Sequence, residues 1–376
     1  MYSLYIHIPF CKQKCRYCDF PSITAVSTLY PTYTNALVYE ISLRRRELGA
    51  ININTIYFGG GTPSLMPINL VTTILKTIYD NFTVSNNCEI TLEANPGTID
   101  FSYLHGLKQI GVNRLSLGIQ SIHNNLLKIL GRIHTFQDAD ITITNARKAG
   151  FDNISIDLMY GLPTQTMPML QESLTWAVAR DIQHISVYGL QIEPNTPFYT
   201  MCKSGQLSLP DEVLVEKMYD YINNFLPQNN FHRYEISNFA KKNFASRHNS
   251  AYWQDKPYIG LGCAAHSYYK QKRFYNTHNV NEYISQCLND TLTYEQEEIL
   301  DKKSWMEEFC FLRLRMTEGI NKNEFYQKFH CNIYSVYAQI INKFITKNLL
   351  TDTGTFIKLT PLGMKYGNIV FEGFLL

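Results

Sequence analysis

Six short apolar runs, each followed by a longer amphipathic stretch, occupy the first half of the chain, and this alternation constrains the fold most. The strand-like runs lie at 2–8, 54–59, 88–93, 112–119, 153–159 and 184–190. Between and after them, stretches near 30–48, 67–81, 101–109, 121–130, 136–149 and 168–180 mostly place apolar residues three or four apart, as a helix with one buried face does. Strand, crossover helix and strand at a spacing of roughly 30–40 residues predict βαβ units and a parallel sheet. Six units are too few for a closed eight-stranded barrel. The expected fold class is therefore α/β, an open, partial (β/α)6 barrel.

After Leu190 the pattern changes. Pro194, Pro197, Gly205 and Pro210 mark a loop, and Asp211 to Leu226 reads as another amphipathic helix. Residues 230–277 are crowded with aromatics and histidines, and the polar, acidic stretch Asn289 to Lys303 reads as a linker or domain edge. Helical patterns near 304–315, 321–329 and 334–347 precede a hairpin over Leu349 to Leu362, centred on Gly354. Three helices and a hairpin suggest a small winged-helix-like α+β unit. The division expected is 1–228 for the barrel, 229–290 for an extension of it and 291–376 for the C-terminal unit.

A formal net charge of +2 gives no dominant field for nucleic acid or membrane surfaces. The winged-helix-like tail invites a DNA-binding reading, but its lysines and arginines are scattered among acidic residues, so no nucleic-acid partner is expected. No run approaches the roughly eighteen apolar residues of a membrane span, and no signal-peptide pattern opens the chain. Nine cysteines, three of them packed together, indicate metal binding in a reducing compartment, not a disulfide scaffold. The expected location is cytoplasmic.

The packed cysteines are Cys11, Cys15 and Cys18, on a short loop directly after the apolar run Tyr2 to Phe10. Soft thiolates on a compact loop select an iron–sulfur cluster or zinc. Structural zinc needs a fourth ligand, and the nearest candidate, His7, lies on a predicted strand between Ile6 and Ile8. A cubane cluster has four irons, so three thiolates leave one iron open to another ligand. Gly59-Gly60-Gly61-Thr62-Pro63 ends the second strand as the cysteine loop ends the first, and its glycines let a ligand approach the backbone closely. Glu93, Gln120 and Asp157 fall at or near later strand ends, which share one face of a βα barrel. Singly, each also reads as a cap or surface residue. Arg132 suits bidentate pairing with a ligand carboxylate, or a solvated helix end. Tyr5, two strand positions before His7, faces the mouth or packs in the core.

The CxxxCxxC loop, with Tyr17 before its last cysteine, resembles the radical S-adenosylmethionine (SAM) superfamily. The resemblance implies a [4Fe–4S] cluster on Cys11, Cys15 and Cys18 whose open iron chelates SAM. Tyr5-Ile6-His7-Ile8-Pro9-Phe10-Cys11, Tyr57-Phe58-Gly59-Gly60-Gly61-Thr62-Pro63 and Asp157-Leu158-Met159-Tyr160-Gly161-Leu162-Pro163 narrow it. They are similar to the oxygen-independent coproporphyrinogen III dehydrogenases, HemN, and to the related heme chaperone family, HemW. Matches at Tyr258-Ile259-Gly260-Leu261-Gly262, Leu312-Arg313-Leu314-Arg315 and Leu359-Thr360-Pro361-Leu362-Gly363 extend the likeness over nearly the whole chain. It implies SAM contacts at Tyr5, Tyr17, Gly60, Gly61, Thr62, Glu93, Gln120, Arg132 and Asp157.

Two departures favour the chaperone branch over porphyrinogen decarboxylation. The dehydrogenase has a further cysteine two residues after the last cluster ligand, where this chain has Asp19-Phe20, and a long N-terminal extension, where ten residues precede Cys11 here. Arg247-His248-Asn249-Ser250-Ala251-Tyr252-Trp253 resembles the HNxxYW motif of the chaperones, which implies heme contact at His248, Tyr252 and Trp253. Read from the residues alone, His248 is a hydrogen-bonded structural histidine, and Cys263 and His266 are weaker candidates. The expected partners are heme, SAM and an acceptor hemoprotein, with a homodimer and docking to membrane proteins also in keeping with the family. The alternative is the dehydrogenase; an iron–sulfur electron carrier would leave the glycine triplet and the strand-end polar residues unexplained.

Overall fold

The computed structural model describes residues 1–24 and 27–375. Strand β1 (Tyr2–Ile8) runs into the two-residue strand β2 (Phe10–Cys11), which pairs with β3 (Ile23–Thr24) and so closes the cysteine loop at its base. Then follow α1 (Tyr30–Leu48), β4 (Asn52–Gly60), α2 (Ile68–Asn81), β5 (Thr83–Ala94), α3 (Phe101–Gln109), β6 (Arg114–Gln120), α4 (Asn124–Leu130), α5 (Phe136–Lys148), β7 (Ile154–Tyr160), α6 (Met167–Ala179) and β8 (His184–Gly189). Strands β1, β4, β5, β6, β7 and β8 pair in that order, all in parallel. The open, partial barrel is thus the architecture of the chain, with helices as its crossovers.

Alternation along each strand separates two faces. On the convex face, Leu4, Ile6, Ile56, Phe58, Leu92, Leu115, Leu117, Ile156, Leu158 and Ile185 are buried in one core with the helices. The intervening positions carry polar groups and are cross-strand neighbours on the concave face. Ser3 stands beside Thr55 and Tyr5 beside Tyr57; Thr91 stands beside Arg114, Glu93 beside Ser116 and Asp157 beside Ser186.

The sheet continues past the barrel on both edges. Helices α7 (Pro197–Lys203) and α8 (Glu212–Gln228) lead to β9 (His232–Arg233) and β10 (Asn238–Ala240), which add antiparallel to β8. After α9 (Arg247–Trp253), β11 (Tyr258–Leu261) joins β1 in parallel, and β12 (His266–Tyr269) and β13 (Lys272–Tyr275) extend that edge. Helix α10 (Val280–Leu288) packs on α1. Beyond it the stretch read as a linker carries an edge strand, β14 (Gln296–Ile299), paired with β13. Its side chains are exposed, so no apolar alternation marked it in the sequence. Among the described residues the sheet has twelve strands.

A second core lies in the C-terminal unit. Helix α11 (Lys302–Arg315), β15 (Ile320–Asn321), α12 (Lys322–Phe329), α13 (Ile333–Thr346), β16 (Leu350–Asp352) and β17 (Phe356–Leu359) enclose Phe309, Phe325, Phe329, Tyr337 and Ile341. The three helices and the hairpin stand where the sequence pattern put them.

Candidate functional site

The cysteine loop is held by hydrogen bonds to its neighbours. The Arg16 backbone N–H donates to the Leu130 carbonyl at 3.0 Å, the Gln13 amide donates to the Gly131 carbonyl at 3.0 Å, and the Phe198 N–H donates to the Arg16 carbonyl at 2.9 Å. Gly131 has a φ of 77°, and a Cβ there would lie 3.2 Å from the Arg16 side chain. Tyr17 packs against Phe198, with Arg132, Cys15, Cys18 and Asp157 near its hydroxyl. Cys11, Cys15 and Cys18 form no disulfide and are partly exposed.

Two of these sulfurs end a relay of hydrogen bonds. The Asn95 amide nitrogen donates to the Thr62 hydroxyl at 3.0 Å, and that hydroxyl donates to Cys11 Sγ at 3.7 Å. In the other direction Arg132 donates from Nη2 to Asn95 Oδ1 and the Gly118 carbonyl, and from Nη1 to Cys15 Sγ at 3.4 Å. Both ends make sulfur the acceptor, the hydrogen-bonding role that a metal-bound thiolate plays. Side chains from β2 and from the turns after β4, β5 and α4 meet in this relay. A soft, three-thiolate donor set with hydrogen bonds aimed at its sulfurs fits an iron–sulfur cluster. Among the described residues no three His, Cys, Asp or Glu side chains converge on a single-ion site; a cubane takes each thiolate at a separate iron.

The glycine triplet is shaped by close approach. The Gly61 N–H donates to the Ile8 carbonyl at 2.9 Å and the Thr62 N–H donates to the Phe10 carbonyl at 2.7 Å. A Cβ on Gly61 would stand 2.7 Å from the Phe10 carbonyl oxygen, so only glycine lets β4 lie this close to the root of the cysteine loop. Gly60 has a φ of 109° and faces the His7 ring. That ring is engaged on both sides. Its Nε2 pairs with the Pro21 carbonyl at 3.0 Å, so it carries the hydrogen, and Nδ1 accepts from the Tyr5 hydroxyl at 3.0 Å.

Below the triplet the concave face encloses a cavity of about 310 Å³ lined by Tyr5, Gly60, Glu93, Asp157, His248 and Tyr252, among others. Glu93 accepts a hydrogen bond from the Tyr57 hydroxyl at 2.7 Å, and burial pushes its carboxyl up to about 7. Burial also raises Asp157, against a hydrogen bond from Ser186. Gln120 takes a left-handed φ of 68° where the β6–β7 register shifts, turning it toward Arg132 and Asn95. The same turn delays α4, expected from 121, to Asn124.

The HNxxYW segment divides between two cavities. His248 is 2% exposed, and both its nitrogens are engaged: Nδ1 with the Thr55 hydroxyl and Nε2 with the Tyr252 hydroxyl, each at 2.8 Å. Burial, with Arg114 nearby, pushes its imidazole down to about 3. It stacks on Tyr57, 4.9 Å between centroids, and so presents no free nitrogen for heme iron. Trp253 lies outside the barrel, along a second cleft of about 480 Å³ that also meets Tyr252.

The sequence singled out Thr62 and Arg132 but not Asn95, which joins them. Its signal was its place directly after the β5 run, before Pro96. Arg114, Ser116 and His184 were also missed, although β6 alternates as Arg114-Leu115-Ser116-Leu117, with the polar members on the concave face.

The profile of the radical SAM superfamily matches residues 5–177, and that of the HemN C-terminal domain matches residues 300–366. The heme chaperone HemW of Bacillus subtilis (strain 168) is 36% identical over 376 residues, covering 100% of this chain and 99% of that protein. The heme chaperone HemW of Lactococcus lactis subsp. lactis (strain IL1403) is 36% identical over 374 residues, covering 100% and 97%. Among solved structures, coproporphyrinogen III oxidase (HemN) from Escherichia coli, a radical SAM enzyme, has a TM-score of 0.87 at 21% identity, covering 100% of this chain and 90% of that one. At that identity the likeness shows the fold alone.

Proposed function

We propose that this chain, which belongs to the radical SAM superfamily and within it to the heme chaperone HemW family, holds heme and passes it to an acceptor hemoprotein in the cytoplasm. The observation that carries this reading is the full-length likeness to proteins named as heme chaperones, from β1 to the C-terminal unit. No helix among the described residues is long and apolar enough to cross a membrane, so membrane acceptors would be met by docking.

Cys11, Cys15 and Cys18 hold a [4Fe–4S] cluster, which when bound supplies an open iron for SAM. The relay through Thr62, Asn95 and Arg132 keeps the Cys11 and Cys15 sulfurs as acceptors. Gly60, Gly61 and Thr62 offer backbone to the SAM amino end, and Tyr5, Tyr17, Glu93, Gln120, Arg132 and Asp157 complete its surroundings. Heme is received beside His248, Tyr252 and Trp253. In this reading the cluster supports assembly and transfer, for instance through dimerisation, and not substrate oxidation.

Anaerobic reconstitution tests it. Wild-type protein takes up iron and sulfide, binds SAM and hemin, and transfers heme to an apo-hemoprotein, while Cys15→Ala loses the cluster absorbance. Formation of protoporphyrinogen from coproporphyrinogen, SAM and a reductant would overturn the choice of carrier over dehydrogenase.

A further inference from the structure

We infer that the outer cleft is the heme seat and that His266 supplies the axial nitrogen; this rests on the heme reading above and names its site. The cleft lies between the β11–β12 edge of the sheet and α11, and its volume of about 480 Å³ falls within the range of small-molecule pockets. Its walls are largely aromatic: Tyr252, Trp253, Tyr258 and Tyr268, with Leu312 from α11. Flat apolar walls suit a planar macrocycle, which buries its faces and leaves its carboxylates at the rim.

Among the described residues four histidines border this region, His7, His248, His266 and His278, of which His7 and His266 line the cleft itself, and two are already spent. His7 and His248 each hold hydrogen bonds on both ring nitrogens. His266 lines the cleft and is exposed, and among the described residues neither of its nitrogens has a hydrogen-bond partner. Its cross-strand neighbour Tyr275 packs on the ring at 4.6 Å, which fixes the ring plane while leaving the nitrogens free. A neutral imidazole nitrogen held this way is a heme ligand by its chemistry.

The cations around the cleft divide in the same manner. Arg273 is paired with Glu308. Lys256 lines the cleft, is exposed, and among the described residues has no hydrogen-bond or ion-pair partner for its ammonium. A heme propionate would supply one. Tyr5, Phe20 and Tyr252 border both this cleft and the barrel cavity, so heme seated here lies against the residues that follow Cys18.

Hemin titration of the reconstituted protein, followed by Soret absorbance and electron paramagnetic resonance, tests the assignment, with circular dichroism to confirm the fold. His266→Ala is expected to lose the histidine-ligated spectrum and to bind hemin about tenfold more weakly or worse. His266→Met is expected to show an altered axial-ligand signature, which a purely structural role would not produce. Lys256→Ala is expected to weaken binding without changing the spectrum. Wild-type spectra in both His266 variants would overturn the ligand assignment, and unchanged affinity in Lys256→Ala would remove the propionate anchor. A wild-type protein that binds no hemin would overturn the heme reading itself.

Discussion

Glu93 shows how one side chain sets a pH dependence from inside the barrel. Burial raises its carboxyl from the ordinary 4.5 to about 7, while the Tyr57 hydroxyl pulls the other way. Below pH 4.5 the group is protonated in the folded and unfolded chain alike. Between 4.5 and about 7 the unfolded chain has lost the proton that the folded chain keeps, so its contribution to stability falls as pH rises, by at most about 1.4 kcal/mol per pH unit. Glu93→Gln keeps an acceptor for Tyr57 and removes the titration. Urea denaturation at pH 5 and at pH 7.5 should therefore show a smaller loss for the variant than for the wild type. Equal losses would rule out Glu93 as the source. The cysteine spacing was legible at this scale because it is local. Asn95 was not, because its meaning depends on Thr62 and Arg132 arriving from other turns.

At the scale of elements, the join between β4 and the cysteine loop is the critical contact. A Cβ on Gly61 would force the Phe10 carbonyl away, and the Ile8 carbonyl would be 3.0 Å from it. Gly61→Ala should cost about 1–3 kcal/mol by overpacking and should lower the iron retained after reconstitution. Denaturant titration and iron analysis check both, and wild-type values in each would show that the turn yields. The six barrel strands and their helices were readable from hydrophobic period, since each buries a continuous apolar face. Strand β14 was not, because an exposed edge has no such face to declare. Read from the residues alone, His248 is a hydrogen-bonded structural histidine, as its two engaged nitrogens have it; the heme contact comes from the likeness of its segment to the HNxxYW motif. The histidine's fixing partner Thr55 comes from β4, 193 residues away, and no local pattern announces it.

Across the whole molecule, the C-terminal unit is tied to the rest by ion pairs whose carboxylates, Asp255 and Glu308, are buried. The Asp255 side chain is fully buried and accepts from Lys328 on α12 and from the Trp305 indole on α11. Asp255→Ala leaves Lys328, 22% exposed, without its counter-ion and should cost about 1.5–3 kcal/mol. Limited proteolysis near 289–301 should then quicken, and an unchanged cleavage rate would show that the second core docks without this anchor.

The two faces of the barrel strands carry a further consequence. The crossover helices pack on the convex side, while α9 brings His248 against Thr55 and Tyr57 on the cavity side, so cavity-facing residues away from α9 can be exchanged for others of similar size while the packing beneath stays as it was. The scaffold is therefore open to being refitted for a different cargo from within. Deleting one strand residue would do the opposite, flipping the later side chains of that strand and setting its polar groups against the oily layer that holds the barrel together.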